Sequence, residues 1–201
     1  MTKYLITPTL LNSFKYYQND QWKEPAESRL DFLKTLSRER FAPNEAMQKG
    51  IDFENDINAI CNGDITNTDN FKEPHFGIAK IVKGGLWQQS VKKEITIGSN
   101  DFILYGRTDV IKGNTIYDIK YTKNYDLGKF TGSSQHRIYL YCTDMPEFKY
   151  LVSNGDQYWV ETYFNNSNIE DEIKSMISDV MGYFDNDQEA KKLFLTKWES
   201  K

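Results

Sequence analysis

The spacing of apolar residues predicts helices toward both ends of the chain and strands between them. In "TPTLLNSFKYY" (residues 7–17), Leu10, Leu11, Phe14 and Tyr17 recur at helical spacing behind cap-type threonines. "SRLDFLKTLSRER" (28–40) predicts a second helix, and Pro43-Asn44 opens a third, "NEAMQKGIDFENDINAICNG", which Gly63 closes. Residues 62–75 read as a loop, and "HFGIAKIVKG" as one more short helix. β-Branched and aromatic residues then predict strands near 87–97, 102–112 and 114–122, the last two joined by a Gly113-Asn114 turn. "SSQHRIYLYCTD" is helical again, capped by Ser133 or Ser134. "FKYLVSN" and "QYWVETYF" flank Asn154-Gly155-Asp156, a second hairpin signal. Beyond them, Ile169, Ile173, Met176, Ile177, Val180 and Phe184 mark a long helix, followed by "QEAKKLFLTKW". No repeat, linker or low-complexity segment interrupts this order, which predicts one α/β domain over residues 1–201.

The hairpin "GRTDVIKGNTIYDIK" raises a question of charge. If Gly113-Asn114 closes it, Lys112 faces Thr115, Ile111 faces Ile116 and Asp109 faces Asp118. Both carboxylates then share one face, and the alternation of a strand places Lys120 there too. Opposed like charges cost roughly 0.2–1 kcal/mol, more when buried. A divalent cation would offset that cost, because hard ions such as Mg²⁺ prefer carboxylate and carbonyl oxygen. A D-x-K triplet alone is common on solvated hairpins; the opposed Asp109 is what adds weight.

Composition narrows the classes. Apolar residues make up 39% and aromatics 14%, which predicts a folded globular chain rather than a disordered one. No apolar run approaches the ~20 residues of a membrane span, nor is there a signal-type segment. A cytoplasmic protein is expected. Two cysteines, Cys61 and Cys142, without C-x-x-C, speak against zinc and against a four-thiolate iron–sulfur cluster. The net charge is −4, yet residues 80–137 carry ten Lys or Arg against five Asp or Glu. A basic region around an acidic pit suits a polyanion delivered to a cation.

Two helical pairs complete the pattern. Gly50 and Glu54 lie four apart on the third helix, where glycine would let the helix approach the sheet. Gln135 and Tyr139 have the same spacing on the later helix. In isolation each pair reads better as a surface glutamate and as a core tyrosine. In sequence order, however, Gly50-Ile-Asp-Phe-Glu54, Gly106-Arg-Thr-Asp109, Asp118-Ile-Lys120 and Gln135-His-Arg-Ile-Tyr139 resemble the motifs of the RecB-like branch of the PD-(D/E)XK nuclease superfamily. "TPTLLNSFKYY" looks like the first helix of that branch, and the resemblance spans roughly residues 7–165.

The resemblance implies a restriction-endonuclease-like core, a mixed β-sheet flanked by helices, with helical additions at both ends. It implies metal-dependent phosphodiester hydrolysis, with Mg²⁺ or Mn²⁺ held by Asp109, Asp118 and the carbonyl of Ile119. Glu54 would be a metal ligand or lie beside the metal, and Lys120 would orient the attacking water. Gln135 and Tyr139 would support the site and contact the nucleic-acid strand, joined by Arg107, Lys123 and Arg137 from the basic region. Several RecB-like families carry four cysteines around an iron–sulfur cluster; this chain would be a cluster-free, compact version, in size like phage or mobile-element enzymes. It lacks G-x-x-x-x-G-K-[ST], so any motor would come from a partner helicase or recombination protein.

The expected activity is a sequence-tolerant deoxyribonuclease acting on linear or single-stranded-tailed DNA as an exonuclease or end and flap processor, since no segment resembles a base-reading recognition helix. A binding module on the same fold, an inhibitor or assembly subunit, is the alternative. Such degenerate relatives usually lose an acidic ligand or the lysine, and here none is missing.

Overall fold

The computed structural model describes residues 2–20, 23–39, 42–65 and 67–200. Helix α1 (Pro8–Asn19) starts where Thr7 accepts a hydrogen bond from the Leu10 amide and Pro8 presets the first turn. It buries Leu10, Leu11 and Phe14. Helix α2 (Pro25–Ser37) begins three residues before its predicted start, again at a proline, and ends as Arg38 turns left-handed at φ 56°. Arg40, the last residue of the predicted span, lies outside the described residues. Helix α3 (Glu45–Asn62) is capped by Asn44, whose side chain accepts from the Met47 amide, and closed by Gly63 at φ 77°. Helix α4 (Glu73–Val82) starts within the predicted loop 62–75, of which Thr66 lies outside the described residues.

The strands depart from prediction in an informative way. The predicted strand 87–97 breaks into β2 (Leu86–Trp87) and β3 (Ser90–Ile97), and the predicted 102–112 into β4 (Asn100–Arg107) and β5 (Val110–Lys112). Both breaks lie side by side: the Gln88 amide donates to Asp109 O and the Thr108 amide to Gln89 O. One long antiparallel ribbon is thus bent across two sheets. A short strand that hydropathy did not reveal, β1 (Tyr4–Ile6), pairs parallel to β4 and completes the sheet β1-β4-β3. The second sheet has the order β2-β5-β6-β7-β8, with β6 (Thr115–Tyr121), β7 (Glu147–Ser153) and β8 (Tyr158–Phe164).

The Gly113-Asn114 turn holds the predicted register, pairing Lys112 with Thr115 and Ile111 with Ile116. Strand β6 runs parallel to β7, and helix α5 (Ser134–Thr143) makes the crossover. Ser133 caps α5, while Ser134 is buried and tied to Asn12 of α1. Ile116, Phe148, Tyr150 and Val152 belong to one apolar core with Ile138 and Leu140 of α5. Val110, Ile119 and Leu151 meet Phe53, Ile57 and Ile78 of α3 and α4 in a second. The larger sheet is therefore covered on both faces. Helices α6 (Ile169–Asn186) and α7 (Gln188–Lys197) close against α1 and α2, where Phe14, Tyr17, Phe32 and Tyr183 cluster. The whole is an α/β fold of the restriction-endonuclease-like type, with helical additions at both ends. No described helix is long and apolar enough to cross a membrane.

Candidate active site

The bend between the sheets creates the site. Strand β5 starts only at Val110, so Asp109 stands in the break and is not a ladder partner of Asp118. Its side chain instead turns along the edge of β6 and accepts the Ile119 amide proton at 2.7 Å. Asp118, in the middle of β6, has no solvent exposure. Its Oδ1 accepts from Gln135 Nε2 of α5, and its Oδ2 lies 2.6 Å from Lys120 Nζ. The Lys120 ammonium takes one side of Asp118 Oδ2, and a carboxylate oxygen carries a second lone pair that remains open to another partner. Glu54 reaches in from α3 and accepts from Gln88 Nε2.

The electrostatics follow from burial. Desolvation pushes the Asp109 carboxyl well above the usual range; Asp118 and Glu54 push the same way, while Lys120 and the Ile119 amide oppose. Desolvation also raises Asp118, against Lys120 and Gln135. Glu54 is raised first by burial and then by Asp118. Burial alone would depress Lys120, but Asp118 and Asp109 outweigh it and hold the ammonium above its ordinary value. The lysine stays charged and the acids repel one another.

These groups open on a cleft of about 640 Å³. Ala46, Met47, Gly50 and Ile51 of α3 form an apolar wall beside Glu54; Asp109, Asp118, Lys120 and Tyr121 form the wall opposite. Gly50 does not serve close packing as predicted: a Cβ there would meet nothing within 4 Å. It widens the cleft instead.

Among the described residues, no three His, Cys, Asp or Glu side chains form a ready-made metal cage. The donor chemistry nonetheless fits a hard divalent cation. Fully buried Asp118 and the partly buried Asp109 and Glu54 line one cleft, and their oxygens are the hard donors such an ion prefers.

The predicted strand contacts divide. Gln135 lines the cleft. Tyr139, expected to touch the strand, is buried; its hydroxyl donates to Arg107 O at 2.8 Å and its ring occupies the space beside Gly106. A Cβ on Gly106 would stand 2.1 Å from Tyr139 Cε1, so these two motif residues pack against each other. Arg137, also expected at the strand, braces the loop before α5: it donates to Glu172, to Thr131 O at 3.0 Å and to Ser133 O at 2.7 Å. Arg107 and Lys123 remain exposed, Arg107 donating to Gln88 O. Part of the basic stretch turns away from the acidic pit. Lys93 turns to Asp144 and Lys112 to Ile81 O, and Lys120 is the cation among the cleft's lining residues.

Sequence reasoning missed Gln88. It sits at the ribbon break with a left-handed φ of 54° and holds Glu54, yet inside a predicted strand nothing distinguished it.

No known protein family matches the sequence, and no curated protein does. Among solved structures, the crystal structure of SSO0001 is similar, with a TM-score of 0.54 at 14% identity over 90% of this chain and 76% of that one. The crystal structure of LHK-Exo in complex with dAMP gives a TM-score of 0.47 at 13% identity, covering 94% of each chain. The likeness to SSO0001 is one of fold.

Proposed function

We propose that the chain is a divalent-metal-dependent nuclease of the RecB-like PD-(D/E)XK type that hydrolyses phosphodiester bonds in DNA without strong sequence preference. One observation carries the reading: Asp109, Asp118 and Lys120 line one cleft, with Asp118 fully buried and Lys120 Nζ 2.6 Å from its Oδ2. Asp109, Asp118 and the Ile119 carbonyl would hold Mg²⁺ or Mn²⁺, with Glu54 beside them. The bound cation would lower the pKa of water and offset charge on the phosphoryl oxygens. Lys120, kept protonated by its two acidic neighbours, would orient the attacking water and stabilise developing negative charge. Gln135 would hold Asp118 in register from α5.

The preference for ends and tails rests on the apolar α3 wall, which suits unpaired bases, and on the lack of a base-reading helix. A helicase or recombination protein would supply any unwinding. The test is incubation of end-labelled linear and closed circular DNA with Mg²⁺, Mn²⁺ or EDTA. Metal-dependent shortening of the linear substrate supports the reading. Sequence-defined fragments from the closed circle would show a restriction-type endonuclease, and no cleavage with either metal would overturn the hydrolytic assignment.

A further inference from the structure

The cleft does not stop at Lys120. It shares Ala46 and Tyr121 with a neighbouring depression of about 420 Å³ bordered by Lys49, Thr122 and Lys123. That depression in turn shares Lys49 and Tyr121 with a third, of about 260 Å³, that reaches Lys72. Tyr121 borders all three. It is the last residue of β6, directly after Lys120, and its alternate side-chain direction sends it to the α3 side of the sheet. There its ring meets Phe53 at 5.5 Å, and its hydroxyl lies against the Gly155 turn of the β7–β8 hairpin.

We propose that this continuous groove is a binding path for a single strand of nucleic acid, running from the Asp118–Lys120 centre over Tyr121 to Lys123 and Lys49. The proposal rests on the nuclease reading of the cleft and extends it to a site that the four motifs do not include. Two observations favour an unpaired strand. First, Met47 and Ile51 leave 47% and 44% of their surface in water along the cleft wall. Base faces can cover such a wall only when they are not stacked inside a duplex. Second, the groove alternates this apolar surface and the Tyr121 ring with ammonium groups, the arrangement that follows a strand's alternating bases and phosphates.

The cations are available. Lys49 pairs with Glu45 across one exposed helical turn, an ion pair worth little and readily exchanged for a phosphate. Lys123 is exposed and makes no ion pair among the described residues. Lys72 pairs with Asp156, and Asp52 and Asp56 border the third depression beside it, so the grip falls on Lys123 and Lys49.

The test measures binding in EDTA, where no metal-dependent cleavage occurs, by fluorescence anisotropy of labelled oligodeoxythymidylates two and eight nucleotides long. The eight-nucleotide strand should bind at least ~10-fold more tightly, given the contribution of each stacked base. Lys49→Ala with Lys123→Ala should reduce that gain and flatten the log–log salt slope by about 1.4, two phosphate contacts on a single strand. Tyr121→Leu should also reduce the length gain, whereas Tyr121→Phe should keep it, which separates lost stacking from disturbed folding. Equal affinity for both lengths, an unchanged salt slope in the double lysine variant, or a blunt duplex bound as tightly as the single strand would overturn the groove. If the length and salt effects hold but no metal supports cleavage, the groove stands and the hydrolytic reading falls.

Discussion

Lys120 Nζ lies 2.6 Å from Asp118 Oδ2, joining a fully buried carboxylate to a lysine whose side chain is one-third exposed. Removing the ammonium leaves Asp118 with Gln135 as its remaining side-chain donor. Lys120→Met, which keeps the aliphatic stem, should therefore destabilise the metal-free protein by roughly 2 kcal/mol in urea unfolding at neutral pH. Unchanged stability would mean that Asp118 is neutral there and the pair is not an ion pair.

Asp109 should behave in the opposite sense. Its folded pKa is raised, so ionising it at neutral pH weighs against the fold, and the stability it contributes is present at low pH and lost as pH rises. Asp109→Asn removes the charge and can still accept from the Ile119 amide. It should raise the metal-free melting temperature while shrinking the upward shift expected from millimolar Mg²⁺ or Mn²⁺ in the wild type. A melting temperature that no divalent metal moves would remove the case for a paired-carboxylate site.

Gly106 and Tyr139 should couple. Gly106→Ala sets a methyl 2.1 Å from the Tyr139 ring and should cost roughly 1–3 kcal/mol by overpacking. Tyr139→Phe removes the bond to Arg107 O and the hydroxyl's interaction with Gln135, and should cost about 1 kcal/mol. Combining Gly106→Ala with Tyr139→Leu should recover part of the alanine penalty. Strict additivity in a double-mutant cycle would contradict the direct packing.

His136 supplies a pH dependence away from the site. Burial, together with Arg137, lowers its pKa to about 3, and its ring stacks on Tyr163 at 3.8 Å. The folded state thus favours the neutral ring. Its contribution is complete above the ordinary histidine pKa and is lost as pH falls from there toward about 3, at somewhat over 1 kcal/mol per pH unit, roughly. His136→Phe keeps the stacking and removes the titration. The difference in stability between wild type and variant should therefore shift in the variant's favour as pH drops from 7 to 4, and a constant difference would contradict it.

Much of this was legible in the sequence, because local signals and tertiary demands agreed. Asn44 and Gly63 bound α3, Ser133 caps α5, and Gly113-Asn114 sets the hairpin register. The ribbon bend was not legible: Gln88-Gln89 and Thr108-Asp109 carry no proline or glycine, and apolar alternation continues on both sides. That bend places Asp109 against the Ile119 amide rather than opposite Asp118. The i,i+4 spacing put Gln135 and Tyr139 on one stripe, but spacing cannot tell which end of a stripe faces a cleft. Gln135 does, while Tyr139 fills the gap at Gly106. Charge counting along the chain likewise could not show that Lys93 and Lys112 turn away to Asp144 and Ile81 O.

On the proposed function, Asp118 and Lys120 serve phosphodiester hydrolysis rather than folding alone. The most direct measurement is cleavage of a 5′-labelled, single-stranded-tailed linear DNA in Mg²⁺ and Mn²⁺ by wild type, Asp118→Ala and Lys120→Met, each shown to be folded by circular dichroism at the assay temperature. Metal-dependent shortening by the wild type is expected, with activity reduced by at least ~100-fold in both variants. A folded Lys120→Met protein that cleaves as fast as the wild type would contradict it.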